Sequence, residues 1–454
     1  MKPGKAVTII GGGIAGLSAA IFLNERGFRI KLLETSPKLG GRAYSFFDKE
    51  KDQFFDNGQH ILAGWYTNTF EYLKITGSFN KLNIQKNLEV NFFNTDREVF
   101  KLKCPDMTPP MNLITGLLKF KAFNFKDKFA LKNISSLLKD TGKISDSFEN
   151  TGLLLKNLNQ TGNLLKYFWE PFILAVFNTT PDKVSTEIFL TVMNIGFNSK
   201  NNSTLVIPEV NLNELLINDA VNYFRENKIE VVLNSRVERI ITNEDEKKID
   251  CVLTENGDKF NSDYFISAVP FFGFKKLFDE NIYLKNNFKS EFLKTSSIVS
   301  VHLFLENEIT EEILPANSLG MTGLIGTTVQ WLFIRNRKHL SLVISGADDL
   351  LVTEMSQDEI LELCLNDLKK TIPGFDKIKI SGHKIIKEKR ATFVPDKTSK
   401  ELRPKHETSY SNFFIAGDWT DTGLPATIES AVTSAKKCAS LITNYELGIT
   451  SFER

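Results

Sequence analysis

Along the first forty or so residues the apolar positions change period twice. A continuous block, Val7-Thr8-Ile9-Ile10, stops at three consecutive glycines, and apolar residues then recur at helical spacing over 17–26. A short apolar block bounded by turn residues marks a buried strand, and the change to helical spacing marks a strand, a tight turn and a helix. Gly27 stands where a helix C-cap belongs. Residues 28–33 then read as a second parallel strand, closing on Glu34.

Further on, 43–47 reads as a short strand and 49–53 as a charged turn. From about residue 80 glycine becomes sparse, phenylalanine and lysine increase, and strand–helix alternation returns only after 205. Within this region 111–139 carries apolar residues at 113, 114, 117 and 118 and again at 131, 134, 137 and 138, with Lys119, Lys121, Lys126, Lys128 and Lys132 between them against a single acid, Asp127. The pattern predicts a basic amphipathic helix or a broken pair. Such a helix either packs on its own lobe with a solvated lysine face or lies in a membrane interface with its lysines on anionic headgroups.

Residues 167–177 predict a helix carrying bulky aromatics, and the proline- and serine-containing turn up to Ser185 starts another. A loop and an amphipathic helix follow over 206–224, then strands at 229–233, 237–241 and 264–269. Strand character at 298–305, 326–335, 340–345 and 383–393 predicts an antiparallel sheet. Ser356 and Glu359 form a capping box for a helix ending at Pro373-Gly374. A buried strand, 412–418, turns into a last helix after Ala426. No internal repeat or low-complexity segment interrupts this order.

Composition narrows the class. A chain of 454 residues with 42% hydrophobic residues exceeds one ordinary domain, so two lobes or more are expected. A net charge of +1 argues against a nucleic-acid partner. Cys104, Cys251, Cys364 and Cys438 are scattered, with no metal-ligand spacing, and read as thiols of a reducing compartment. The apolar run 6–23 is too rich in glycine for a signal or spanning segment. The expectation is a cytoplasmic protein that at most rests on the inner face of the cell membrane through 111–139.

The chemistry is concentrated at the glycines. Gly11, Gly13 and Gly16 have the spacing of a dinucleotide fingerprint, in which the first permits the turn, the second admits a pyrophosphate to the backbone and the third lets helix and strand pack closely. Ile14 and Ala15 then open a helix whose free N–H groups face the phosphates. Glu34 lies where a carboxylate accepts from a ribose diol. Gly40, Gly41 and Arg42 add a second close backbone approach and a cation. This combination resembles the FAD site of the amine oxidase, protoporphyrinogen oxidase and phytoene desaturase superfamily.

That resemblance carries further implications. Gly58, Gln59 and His60 would pass beside the isoalloxazine, the backbone at Val237 would contact the adenine, and Asp418 after Gly417 would reach the ribityl or pyrophosphate region. Ala426, Thr427 and Ile428 would present helix N-terminal amides to the flavin pyrimidine edge. Trp169-Glu170-Pro171, the Asn178-Thr179-Thr180-Pro181 turn, 329–333, 388–393 and the segment from Gly417 to Glu429 are similar to the squalene-associated desaturase-like family, whose members act as hydroxysqualene dehydroxylases. Ser430 departs from the glycine usual there.

The implied fold is α/β: a Rossmann-like FAD-binding lobe from 1–75, 205–275 and 405–454, with an inserted α+β substrate lobe from 76–204 and 276–404. The implied activity is reductive removal of the allylic hydroxyl of hydroxysqualene by non-covalent FAD, with no metal and an electron donor that the sequence does not identify. A phytoene-type desaturase and a non-catalytic isoprenoid-binding flavoprotein are the alternatives; a covalent amine oxidase is disfavoured by the lack of cysteine over 385–395. Proton donation to the departing hydroxyl is assigned to His60 or Asp421, with a water or a residue of the second lobe as the alternative. Glu429, in the first turn of its helix, is read as complementing that helix's dipole.

Overall fold

The computed structural model describes residues 4–49, 51–138, 144, 146–315 and 319–449. Lys139 of the basic stretch, and 1–3 and 450–454 of the expected nucleotide lobe, lie outside the described residues, as do the side chains of 135–138.

Five parallel strands make the first sheet, in the order Glu230–Val232, Arg29–Leu33, Ala6–Ile10, Tyr264–Ser267 and Phe413–Ile415. Their buried positions are mostly apolar because both faces are covered, with Arg29 and Glu230 exposed at strand ends. Val7, Ile9, Ile30, Leu32, Ile266 and Phe414 point to a core shared with the helices Ile14–Asn24 and Ile428–Glu446. Ile10, Leu33, Phe265, Phe413 and Ile415 point the other way, towards the antiparallel strands Val237–Asn243 and Lys248–Thr254 and the Phe271–Phe278 turn.

The second sheet has seven strands: Ile380–Phe393, Thr295–Leu305, His339–Ser345, Trp331–Asn336, Met321–Ile325, Glu89–Asn94 and Val99–Lys103. One face carries Val299, Val301, Leu303, Leu340, Leu342 and Ile344 and packs on Ile360, Cys364 and Leu368 of the helix Gln357–Thr371. That helix has the expected capping box, Ser356 with Glu359. By alternation Ile298, Ser300, Val343, Trp331 and Phe333 occupy the opposite face.

Two features differ from the sequence reading. The hairpin Glu89–Asn94/Val99–Lys103 adds two strands to a region read as lacking them, and Met321–Ile325 pairs with Glu89–Asn94 in parallel, so the sheet is mixed. The expected strand over 326–335 begins only at Trp331, because Gly326 turns with a φ of +82°. The basic stretch is a broken series, Met111–Lys119, Phe125–Ala130 and the tighter Leu131–Leu138, whose Leu113, Leu117, Leu131 and Ile134 pack on the lobe beneath. Among the described residues no helix is long and apolar enough to cross a membrane.

Candidate active site

A cavity of about 550 Å³ lies between the C-terminal edge of the parallel sheet and the face of the second sheet that carries Ile298, Trp331 and Val343. Its nucleotide end is built by the first strand–turn–helix. Gly11 turns with a φ of +106°, and Gly13 caps the Ile14–Asn24 helix with no side chain of its own, so the helix amides remain available to an anion. Gly40 N donates to Gly12 O at 2.9 Å, bringing the second glycine pair against the first. An added Cβ at Gly13 would meet only Gly41 Cα at 3.9 Å, whereas at Gly16 it would lie 1.9 Å from Gly11 O. Gly13 thus faces open cavity, and Gly16 is a packing position away from the lining.

Glu34 accepts from Gly12 N at 2.6 Å and Ser36 N at 2.7 Å, which fixes its carboxylate at the end of its strand. Ser235 and Val237 border the same end; the Ser235 hydroxyl is buried without a partner. Arg42 donates to Ala391 O at 2.8 Å and to Asp418 Oδ1 at 2.5 Å, so it ties the two sheets together at the cavity wall. Asn57 donates to Arg42 O and leaves its own side-chain oxygen buried and unpartnered. Gly58, Gln59 and His60 follow along the wall, and Gly417, Ala426, Thr427 and Ile428 close it from the C-terminal segment. Thr427 Oγ1 accepts from Ser430 N at 3.1 Å, capping the last helix, so the N-terminal turn of that helix opens onto the cavity.

The candidate acids separate here. His60 borders the cavity, its Nδ1 2.7 Å from Gly58 O. Burial pushes its pKa down, against the opposing pull of the Gly58 carbonyl and Asp56, so at neutral pH the ring is the uncharged imidazole. Asp421 is not brought to the cavity. Its backbone N–H donates to Pro404 O at 2.9 Å, and its charge is felt by Lys400, Arg403 and His406 on the outer side of the segment. The chain leaves the cavity at Trp419, buried against Phe274, and Asp421 follows it out. Glu429 lies in the first turn of the Ile428–Glu446 helix, as expected, and is buried; it also accepts from Asn68 N at 3.0 Å and Thr69 N at 2.8 Å, so its carboxylate caps the neighbouring Thr67–Thr76 helix as well.

Sequence reasoning noted 329–333 and 388–393 by resemblance but assigned no residue of the other wall to the site. Leu174, Ala175 and Val176 of the aromatic helix line it, together with Ile298, Trp331, Phe333, Val343 and Glu388 of the second sheet. The signal was available: Trp331 and Phe333 are two apart in a strand and share a face, as Ile298 and Ser300 do. Trp169, by contrast, is core, its indole N–H donating to Gln160 at 3.2 Å.

Farther along the same face of the second sheet, His302 Nδ1 lies 3.0 Å from His339 Nε2, and His302 Nε2 lies 3.1 Å from Asp56 O. Burial holds these rings at pKa values of about 4 and about 3. Two neutral imidazoles in series thereby fasten the Asp56–His60 segment to the second sheet.

A parallel nucleotide-binding sheet, a glycine cradle at two helix N-termini and a continuous cavity reaching a second sheet define an FAD-dependent oxidoreductase. The residues fit the cofactor: two buried polar atoms without partners, on Asn57 and Ser235, border the cavity, and a side-chain-free cradle is open at Gly13. Bound there, FAD supplies two-electron transfer chemistry; the chain supplies position and surroundings. Residues 14–443 match the family described as flavin containing amine oxidoreductase, and the chain belongs to it. It is 29% identical over 449 residues to hydroxysqualene dehydroxylase of Zymomonas mobilis, covering 96% of this chain and 99% of that protein. It is 27% identical to 15-cis-phytoene desaturase of an Oncidium hybrid, covering 97% of this chain and 78% of that one. In three dimensions it resembles a putative protoporphyrinogen oxidase from Exiguobacterium, with a TM-score of 0.67 at 15% identity, covering 96% and 98% of the two chains.

Proposed function

We propose that the protein removes the allylic hydroxyl of hydroxysqualene, using reduced, non-covalently held FAD, and releases squalene and water. The observation that carries this reading is the cavity wall opposite the nucleotide end. There Ile298, Trp331, Phe333, Val343 and the Leu174–Val176 turn give an isoprenoid chain shape and area with few polar groups to satisfy. Full-length similarity to a protein named for that reaction supports it.

In this reading the apolar wall excludes water from the allylic carbon, which becomes cationic as the C–O bond lengthens. Arg42 and Asp418, locked to each other and to Ala391, hold the cofactor's position against the substrate sheet. Neutral His60 adds no positive charge beside the developing cation.

The substrate is drawn from a bilayer. Phe125 and Phe129 are 85% and 63% exposed, on the short helix that carries Lys126 and Lys128. Apolar anchors within a basic rim suit an anionic lipid surface.

Anaerobic mixing of photoreduced enzyme with hydroxysqualene tests the assignment. Reoxidation of the flavin with formation of squalene is expected. Reduction of the oxidised enzyme by phytoene would instead make the protein a desaturase, and binding of either lipid without redox change would make it a carrier.

A further inference from the structure

Six ionisable side chains border the cavity: Glu34, Arg42, His60, Tyr66, Glu388 and Asp418. Five are committed elsewhere or unsuited to giving up a proton. Glu34 is fixed by two backbone amides at the nucleotide end, and Arg42 and Asp418 hold each other. Burial raises the pKa of the Tyr66 phenol and lowers that of His60. Glu388 alone is engaged by no hydrogen bond or ion pair among the described residues.

Its position is set by the sheet. Lys387 donates to Thr353 O at 3.2 Å, and Ile385 packs with Val299 and Val301, so both point to the helix-covered face. Glu388 alternates with them and lies opposite Ile298, on the cavity face. Immediately beyond it the ladder breaks: Ile298 pairs with Glu388, but Ser296 pairs with Thr392, so residues 389–391 bulge out. Ser297 Oγ holds the bulge through Lys389 O at 2.9 Å, and Arg42 holds it through Ala391 O at 2.8 Å. An unbroken strand would put residues 388 and 391 on opposite faces; the bulge brings both to the cavity. Glu388 is therefore the last residue of the regular ladder before the bulge, next to the clamp that joins the two sheets, on a wall it shares with Ile298, Trp331, Val343 and the neutral Ser345 and Thr392.

We propose that Glu388 is the general acid that delivers the proton to the departing hydroxyl; this rests on the dehydroxylation reading above. The carboxyl O–H bond breaks, its proton joins the hydroxyl oxygen, and the C–O bond breaks to release water. FAD held in the cavity as its neutral two-electron-reduced form would supply a hydride to the allylic carbon and a proton that returns the Glu388 carboxylate to its acid form. Substrate alcohol and reduced flavin thus become alkene, water and oxidised flavin. Once deprotonated, Glu388 is an anion beside a carbon that has become cationic, an attraction that a cationic acid could not offer.

Single-turnover reoxidation of the photoreduced, FAD-loaded enzyme tests this with two substrates, hydroxysqualene and its acetate ester, whose leaving acetate needs no proton. Glu388→Gln should slow the alcohol at least ~100-fold, the scale of general acid catalysis, and should leave the ester within about threefold of wild type. Flavin content, and the change in the visible flavin spectrum when the oxidised enzyme binds the alcohol, should match wild type. An alcohol rate within about threefold of wild type overturns the assignment. So does equal loss on both substrates with a changed binding spectrum, which would mark a structural role. If wild-type enzyme reoxidises with neither substrate, the dehydroxylation reading itself has failed, and this inference with it.

Discussion

Gly13→Ala and Gly16→Ala make the same chemical change three residues apart, and the structure separates their effects. At Gly13 the new methyl meets nothing in the protein nearer than 3.9 Å, and the backbone there has a φ of −75° that alanine adopts freely. The apoprotein should therefore keep its unfolding midpoint, with a stability change within about 0.5 kcal/mol. The methyl does occupy the approach to the helix amides, and displacing a pyrophosphate by about a methyl radius weakens one charge-assisted hydrogen bond, ~1.5–3 kcal/mol. FAD should bind ~10–100-fold more weakly. At Gly16 the methyl lies 1.9 Å from Gly11 O, so helix and turn must separate by about an ångström, with a cost to the apoprotein on the order of 1–3 kcal/mol or more. Titrating deflavinated protein with FAD by flavin fluorescence, alongside thermal unfolding of both apoproteins, measures each quantity. A Gly13→Ala protein that binds FAD within about threefold of wild type, or loses as much apoprotein stability as Gly16→Ala, refutes the cradle argument.

Asp421→Asn should leave the single-turnover rate within about twofold of wild type, because the carboxyl lies outside the cavity, whereas His60→Ala should alter the flavin spectrum through lost packing. Glu429→Ala removes the carboxylate that caps the Thr67–Thr76 helix and leaves two buried amides unpaired; a loss of about 1–3 kcal/mol in denaturant unfolding is expected, with little recovery in Glu429→Gln. His302 and His339 have native pKa values below that of an unfolded histidine, so the unfolded chain takes up protons first and stability is lost as pH falls from about 6.5 towards 4. At about pH 5 the loss is ~2 kcal/mol per ring, and His302→Gln/His339→Gln should flatten the dependence of the melting temperature on pH. Replacing Phe125 and Phe129 by serine should reduce flotation with anionic liposomes more than with neutral ones, and equal flotation of variant and wild type would remove the membrane contact.

The nucleotide end was legible because its function is carried by backbone, and backbone demands show as glycine at fixed spacing. Gly11, Gly13, Gly40 and Gly41 border the cavity, and Gly16 acts one layer behind them. The substrate side was less legible because it depends on which strands pair. Val90 and Phe92 alternate as a strand should, yet nothing local shows that Glu89–Asn94 lies parallel to Met321–Ile325, more than two hundred residues later. Glu388 sits in a stretch read as a strand, 383–393, whose facing the sequence left open, and only the register with Ile298 and the bulge after it show which way it faces. Asp421 failed for the converse reason: it adjoins Asp418 in sequence, but the chain turns outward at Trp419.

The five-stranded sheet has a consequence for biosynthesis. Its outermost strand, Phe413–Ile415, pairs with Tyr264–Ser267, which itself pairs with the first strand of the chain. The fingerprint glycines emerge from the ribosome well before Asp418 and the amides at Ala426–Ile428. A nascent chain therefore displays a phosphate cradle with no wall to retain the flavin ring, and Phe265 and Ile266 wait as an unpaired strand edge until Phe413–Ile415 arrives. Cofactor loading becomes a late event, coupled to closure of the sheet by a contact between distant parts of the sequence. Flavin supply during expression should then govern how much protein escapes aggregation at that edge, more than it governs the activity of each molecule that folds.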